Sequence, residues 1–261
     1  MVGQISIQEV SKEFANPDAS KENIHALNGF SLDIEPGTFI SLIGTSGCGK
    51  STLLRLIGGL DNPSSGMIYL DNKKIEKPGS DRGFAFQGSN LFPWLTVEKN
   101  IAFGLKARHI YKDSRKDVSE FINLVGLGGF ENSYPHQLSG GMQQRASLAR
   151  ALVGHPSVLL LDEPLGALDA FTRMNLQDEI LDIWKKYNMT VVMVTHDVDE
   201  AIYMSDQVVV MSARPSKVEA LIDIDLPRPR ARAQDTFQEY RSKILEILNF
   251  GGKIEEAEYY L

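Results

Sequence analysis

The chain of 261 residues contains one cysteine, Cys48. A single thiol closes no intrachain disulfide, so the fold must be held by an apolar core, and a reducing compartment is expected. Long apolar runs are missing too: no stretch approaches the roughly 18 residues that a membrane-crossing helix needs. The start, Met1-Val2-Gly3-Gln4-Ile5, lacks the basic-then-apolar build of a secretory signal. Basic charge is in deficit. A net charge of −7 argues against nucleic acid as the main partner, because phosphate contacts need a positive field. Repeats and low-complexity tracts are absent. What remains has the composition of a globular protein, with length for one α/β domain plus a subdomain, or for two small domains.

The feature that is present in full is a cradle for phosphates. Gly44-Thr45-Ser46-Gly47-Cys48-Gly49-Lys50-Ser51-Thr52 fits the spacing Gly, four residues, Gly-Lys-Ser/Thr. Thr38 to Ile43 before it reads as a buried strand, and Leu53, Leu54, Leu56 and Ile57 after it suit a packed helix ending at Gly58-Gly59. Glycines let successive backbone N–H groups turn into one concavity, and the helix N-terminus adds positive potential. In such a loop Lys50 reaches the terminal phosphates and the Ser51 hydroxyl ligates magnesium.

Elsewhere the pattern alternates between two kinds of strand. Ile5 and Ile7, then Phe30, Leu32 and Ile34, show the period of half-buried antiparallel strands, with an exposed polar loop expected over Asn16 to Glu22. Val158 to Leu161, Val191 to Val194 and Val208 to Met211 are continuous apolar runs, expected in a parallel sheet covered on both faces. Ligands of such sheets bind at the C-terminal strand ends. Between Gln87 and Leu138 the character is helical; Val118, Phe121, Ile122 and Val125 fall on one helix face. Pro227-Arg228-Pro229-Arg230 reads as a stiff basic linker before an amphipathic helix through Phe237, Tyr240, Ile244 and Leu248.

A phosphate loop alone fits kinases, GTPases, helicases and transport ATPases. The segment Leu138-Ser139-Gly140-Gly141-Met142-Gln143-Gln144-Arg145 narrows the field. Gly140 and Gly141 allow backbone amides close to an anion, and Ser139 offers a hydroxyl at a helix start. Read by itself, the same segment is equally a capped helix with Ser139 as N-cap.

Taken with the phosphate loop, this segment makes the chain resemble the ATP-binding subunit of ABC transporters, from about Ile5 to Leu226. The resemblance implies an α/β fold: a P-loop NTPase core with a mostly parallel sheet, an N-terminal antiparallel β subdomain and an inserted helical subdomain. The ATP-binding domain is then expected over residues 1–226, with helices at about 88–154, and the basic linker and helical extension over 227–261. It also implies roles. Ser139, Gly140, Gly141 and Gln143 form the signature segment, which contacts the γ-phosphate held by the other copy of a head-to-tail dimer. Asp162 and Glu163, at the end of Val158-Leu159-Leu160-Leu161, resemble the magnesium-associated carboxylate and the base that polarises the attacking water. His196 of Thr195-His196-Asp197 resembles the switch histidine, and Gln87 the glutamine that senses magnesium and the γ-phosphate. Asp169 of Ala167-Leu168-Asp169 resembles the carboxylate of the loop crossing the dimer interface. Phe14 stands where the family stacks an aromatic on adenine; a core phenylalanine is the competing reading of that residue.

Asn90 to Val97, Leu165 to Arg173 and Ala213-Arg214-Pro215 resemble the importer branch for nitrate, sulfonates, taurine and bicarbonate, although Leu165 stands where phenylalanine is common there. The resemblance implies ATP and Mg2+, a homodimer or a pair with a similar ATPase subunit, transmembrane permease subunits, and an extracytoplasmic solute-binding protein. It implies a peripheral place on the cytoplasmic face of a bacterial inner membrane and import of a small anionic solute. A soluble ABC ATPase of DNA repair or translation is the competing class, but it usually carries a long coiled-coil insertion or two cassettes. A P-loop kinase leaves Ser139-Gly140-Gly141 unexplained.

Overall fold

The computed structural model describes residues 2–16, 22–166 and 168–249. In chain order the strands are β1 (Ile5–Phe14), β2 (Ile24–Ile34), β3 (Phe39–Ile43), β4 (Ser65–Leu70), β5 (Lys73–Lys74), β6 (Arg82–Ala85), β7 (Val158–Asp162), β8 (Thr190–Val194), β9 (Gln207–Met211) and β10 (Val218–Asp223). The helices are α1 (Lys50–Ile57), α2 (Val97–Ile101), α3 (Phe103–Ala107), α4 (Arg115–Leu124), α5 (Gly140–Leu152), α6 (Ala170–Tyr187), α7 (Val198–Met204) and α8 (Asp235–Ile247).

The alternating segments form an antiparallel sheet in the order β2-β1-β4-β5, with Ile5 opposite Ile34 and Ile7 opposite Leu32. The continuous apolar runs form a six-stranded sheet, β10-β9-β3-β8-β7-β6, parallel except for the β9–β10 edge pair. Their lack of alternation follows from burial on both faces. Ile40, Leu42, Leu160, Val192 and Val194 pack with α1 and the antiparallel sheet. Their neighbours Phe39, Ile43, Leu159, Leu161, Val191 and Met193 pack with the helices on the other face. Parallel alignment also brings the residues after β3, β6, β7 and β8 to one edge, and those are the phosphate loop, Gln87, Glu163 and His196.

Between β6 and β7 the regular elements among the described residues are helices and a 3-10 turn, Pro135–Gln137. The helix face expected from Val118, Phe121, Ile122 and Val125 is buried, each residue being 1% exposed. Asn100 on α2 is fully buried: it accepts from the Phe92 amide at 2.7 Å and donates to the carbonyls of Phe92, Leu95 and Thr96. That one side chain fixes the loop after Gln87.

In Pro227 to Arg230 the two prolines are exposed, while the two arginines are anchored to the domain. Arg230 is 6% exposed, and its guanidinium donates to the carbonyls of Ile202, Ser205, Ile224 and Leu226. Arg228 bonds Asp206 and the Met204 carbonyl, with its guanidinium 4.7 Å above the Trp184 ring. Carbonyl-rich strand and helix ends demand a forked cation, and the arginines supply it. Beyond them α8 buries Phe237 and Ile244 in the main core, worth about 1.5–3 kcal/mol for each side chain. Part of the polar loop expected over Asn16 to Glu22, and the extension past residue 249, lie outside the described residues. Among the described residues no helix is long and apolar enough to cross a membrane.

Candidate active site

The phosphate loop joins the end of β3 to α1. Gly47 and Gly49 hold φ of 75° and 113°, and a Cβ at Gly49 would stand 3.1 Å from the Ala26 carbonyl oxygen. Both features demand glycine. No side chain caps α1 and no acidic residue sits in its first turn, so the helix start keeps its positive end toward the loop. Lys50 folds back across the concavity, donating to the Gly44 and Thr45 carbonyls at 2.8 and 3.1 Å. Gly44 and Cys48 lie underneath, with the Cys48 thiol 1% exposed.

This loop floors a cavity of about 580 Å3, a volume typical of small-ligand sites. Ser46, Gly47, Gly49, Lys50, Ser51 and Thr52 line it together with Phe14, Ile24 and Ala26 and with Gln87, Glu163 and His196. Phe14 is 39% exposed, so it is not a core residue, and the Lys12 ammonium lies 5.0 Å from its ring centre. Arg214 also lines the cavity and braces the loop by donating from Nε and Nη2 to the Gly47 carbonyl at 3.0 and 2.6 Å. Sequence reasoning missed Arg214 as a site residue; its place after β9, at the same sheet edge, is the signal that could have found it.

Two adjacent carboxylates stand at the end of β7 in different surroundings. Asp162 points inward and accepts from the Ser51 hydroxyl at 2.9 Å. Burial is the main cause of its raised pKa, Glu163 pushes the same way, and the Ser51 bond and Lys50 oppose it. Glu163 leaves the strand with φ 46°, the left-handed region that non-glycine residues rarely enter. Its carboxylate accepts from Gln87 Nε2 at 2.9 Å on one oxygen and lies 3.6 Å from His196 Nδ1 on the other.

The signature segment is not part of the phosphate-loop cavity. Ser139 caps α5 by accepting from the Met142 amide at 3.3 Å, and Gly140 opens onto a neighbouring groove shared with Gln87, Glu163 and His196. A Cβ at Gly140 would meet nothing, whereas one at Gly141 would approach Thr172 at 3.0 Å. Gln143 lines the same groove and also has a bracing use within the chain. Its amide donates to the Pro135 and Leu138 carbonyls and accepts from the Ser89 hydroxyl, so it braces the loop entering α5. Asp169 caps α6, accepting from the Phe171 and Thr172 amides at 3.1 Å; the Thr172 side chain first, and then these amides, hold its pKa down. Ala167 beside it lies outside the described residues.

The parallel sheet and the loop at its edge define a P-loop nucleotide hydrolase. The chain belongs to the ABC transporter family, whose profile matches residues 27–166, and it is an ATPase of that family. Among relatives, it is 49% identical to an aliphatic sulfonates import ATP-binding protein, SsuB, of Bacillus cereus, over 97% of this chain and 99% of that one. It is 44% identical to the bicarbonate transport ATP-binding protein CmpC of Synechocystis sp., over 97% of this chain and 39% of that protein. A solved dimer of the ATP-binding cassette MJ0796, in a post-hydrolysis state bound to ADP and Pi, is 33% identical with a TM-score of 0.74, covering 85% of this chain and all of that one.

Proposed function

We propose that this chain is the ATP-hydrolysing subunit of an importer, working as two copies that share two ATP sites head to tail. The observation that carries the reading is the held carboxylate of Glu163, strained into left-handed backbone and gripped by Gln87 and His196 at the rim of the phosphate cradle. A carboxylate so placed orients and deprotonates a water aimed at the terminal phosphate. Lys50 exchanges its loop carbonyls for phosphate oxygens, Phe14 stacks on the base, and His196 and Gln87 keep Glu163 in register. Ser139 and Gly141 serve the nucleotide of the other copy, which fits their absence from the cavity lined by Lys50.

Among the described residues no cluster of three or more acidic, histidine or cysteine side chains could hold a metal alone. The donors here, Ser51, Asp162 and Gln87, instead fit magnesium arriving with phosphate oxygens, since this ion takes one or two carboxylates and keeps several waters. When bound, it neutralises charge on the phosphates.

The exposed aromatics Trp94 and Phe103, both packed against Phe92 in the loop that Asn100 holds, are the surface assigned on this reading to permease subunits. On this reading the chain works peripherally on the cytoplasmic side of the membrane, with an extracytoplasmic binding protein delivering the solute. Sulfonates and bicarbonate, named for the relatives, suggest a small anion as cargo.

Glu163→Gln tests the central role. It keeps ATP affinity and lowers acceptor-independent turnover by about 100-fold or more, because an amide accepts no proton. Turnover at the parent rate would remove Glu163 as the base.

A further inference from the structure

We propose that Glu200, which touches neither the phosphate loop nor its cavity, is a positioning residue for His196. The inference rests on the ATP-site reading above. Glu200 sits in the first turn of α7, 5% exposed, behind the turn that carries His196. The Thr195 hydroxyl donates to Glu200 Oε2, and the Thr195 oxygen in turn accepts from the Asp197 amide at 3.1 Å. Asp197 Oδ1 accepts from the Glu200 amide at 3.1 Å. Both neighbours of His196 are therefore tied to Glu200, one through its carboxylate and one through its backbone. His196 itself has a side chain 65% exposed, so the turn beneath it, not packing around the ring, sets where the imidazole points.

The support reaches further than α7. Gln177 on α6, 3% exposed, donates from Nε2 to Glu200 Oε1 at 3.4 Å and accepts on Oε1 from Arg232. Arginine only donates, so it fixes which end of the Gln177 amide faces it and leaves the NH2 group for Glu200. Glu200 must then accept on both oxygens, which a carboxylate does and a primary amide does not. Arg173 joins the same turn to the loop before α6, donating to Asp197 Oδ2 at 3.4 Å and to the Leu168 carbonyl at 3.1 Å. The C-terminal segment thus supplies, through Arg232, one end of a hydrogen-bond chain whose other end is the His196 turn.

The test compares Thr195→Val, which keeps the shape and loses the hydroxyl, Thr195→Ser, which restores it, and Glu200→Gln. Steady-state ATP hydrolysis is measured with ATP affinity, and turnover is expressed per ATP-binding molecule. Thr195→Val and Glu200→Gln should lower kcat about tenfold or more with KM within about twofold, since misplacing a catalytic group by about 1 Å costs up to 100-fold. Thr195→Ser should return most of the rate. Parent-like kcat in Thr195→Val, a loss that appears in KM instead, or no recovery in Thr195→Ser would each overturn the proposal. Should Glu200→Gln not fold, the threonine pair decides alone. His196→Ala separates the two readings: full turnover there removes the ATP-site reading and this inference together, whereas lost turnover there beside a normal Thr195→Val removes this inference only.

Discussion

Replacing Arg230 with methionine should undock the C-terminal segment. The guanidinium donates to the carbonyls of Ile224 and Leu226 at 2.9 and 3.1 Å and to those of Ile202 and Ser205 at closer range. Each buried carbonyl that loses its donor costs about 1–3 kcal/mol. Part of that is returned, because the buried guanidinium carries a desolvation cost of its own, the main cause of its pKa being lowered to about 10. The orphaned carbonyls, less that returned desolvation, leave a net loss of about 3–5 kcal/mol. For a protein of this size that corresponds to a fall in Tm of roughly 6–20 °C. Scanning calorimetry measures it, and limited proteolysis should show cleavage near residue 230 before the rest of the chain. Arg230→Lys should recover little, since one ammonium cannot reach carbonyls lying in several directions. A Tm within about 2 °C of the parent would refute the reasoning.

Two further outcomes follow from the site. Asp162→Asn should raise the Tm of the nucleotide-free protein while abolishing magnesium-dependent hydrolysis, because burial and Glu163 disfavour the ionised form. The raised pKa sets the sign: the cost of ionised Asp162 is complete above its folded pKa and vanishes as pH falls toward the ordinary 3.8, so the gain of the Asn variant over the parent should shrink on acidification; a gain that grows would contradict it. Lys50→Ala should weaken ATP binding at least tenfold by calorimetry, since a point charge on the terminal phosphates is lost; unchanged affinity would count against that role.

The parts of this fold legible in the sequence are those whose physics is local. The phosphate loop declares itself because glycine is demanded by φ at Gly47 and Gly49, and β7, β8 and β9 because burial on both faces leaves unbroken apolar runs. The α4 face was legible from its period alone. The anchoring of the C-terminal arginines was not: it needs the carbonyls of Ile202, Ser205 and Ile224, set by α7 and the end of β10, to be brought around them. The bracing by Gln143 was not legible for a similar reason, since its partners Ser89 and Pro135 come from separate segments. The grip of Gln87 and His196 on Glu163 is created by strand order, joining residues that the chain keeps far apart. A resemblance can name those residues, but only the parallel sheet brings them together.

The claim that two copies share each ATP site is tested most directly by Ser139→Arg. Ser139 lies outside the cavity lined by Lys50, so a monomer of this variant should bind ATP with the parent's affinity. Loss of its cap on α5 costs about 1 kcal/mol of stability, so the assay is run well below the unfolding temperature. The bulky cation should block closure of the pair. Affinity by calorimetry and turnover by phosphate release, measured on the same preparation, decide the matter. The account predicts unchanged ATP binding with turnover reduced about 100-fold or more; parent-like turnover, or ATP binding lost along with it, would contradict a site shared between copies.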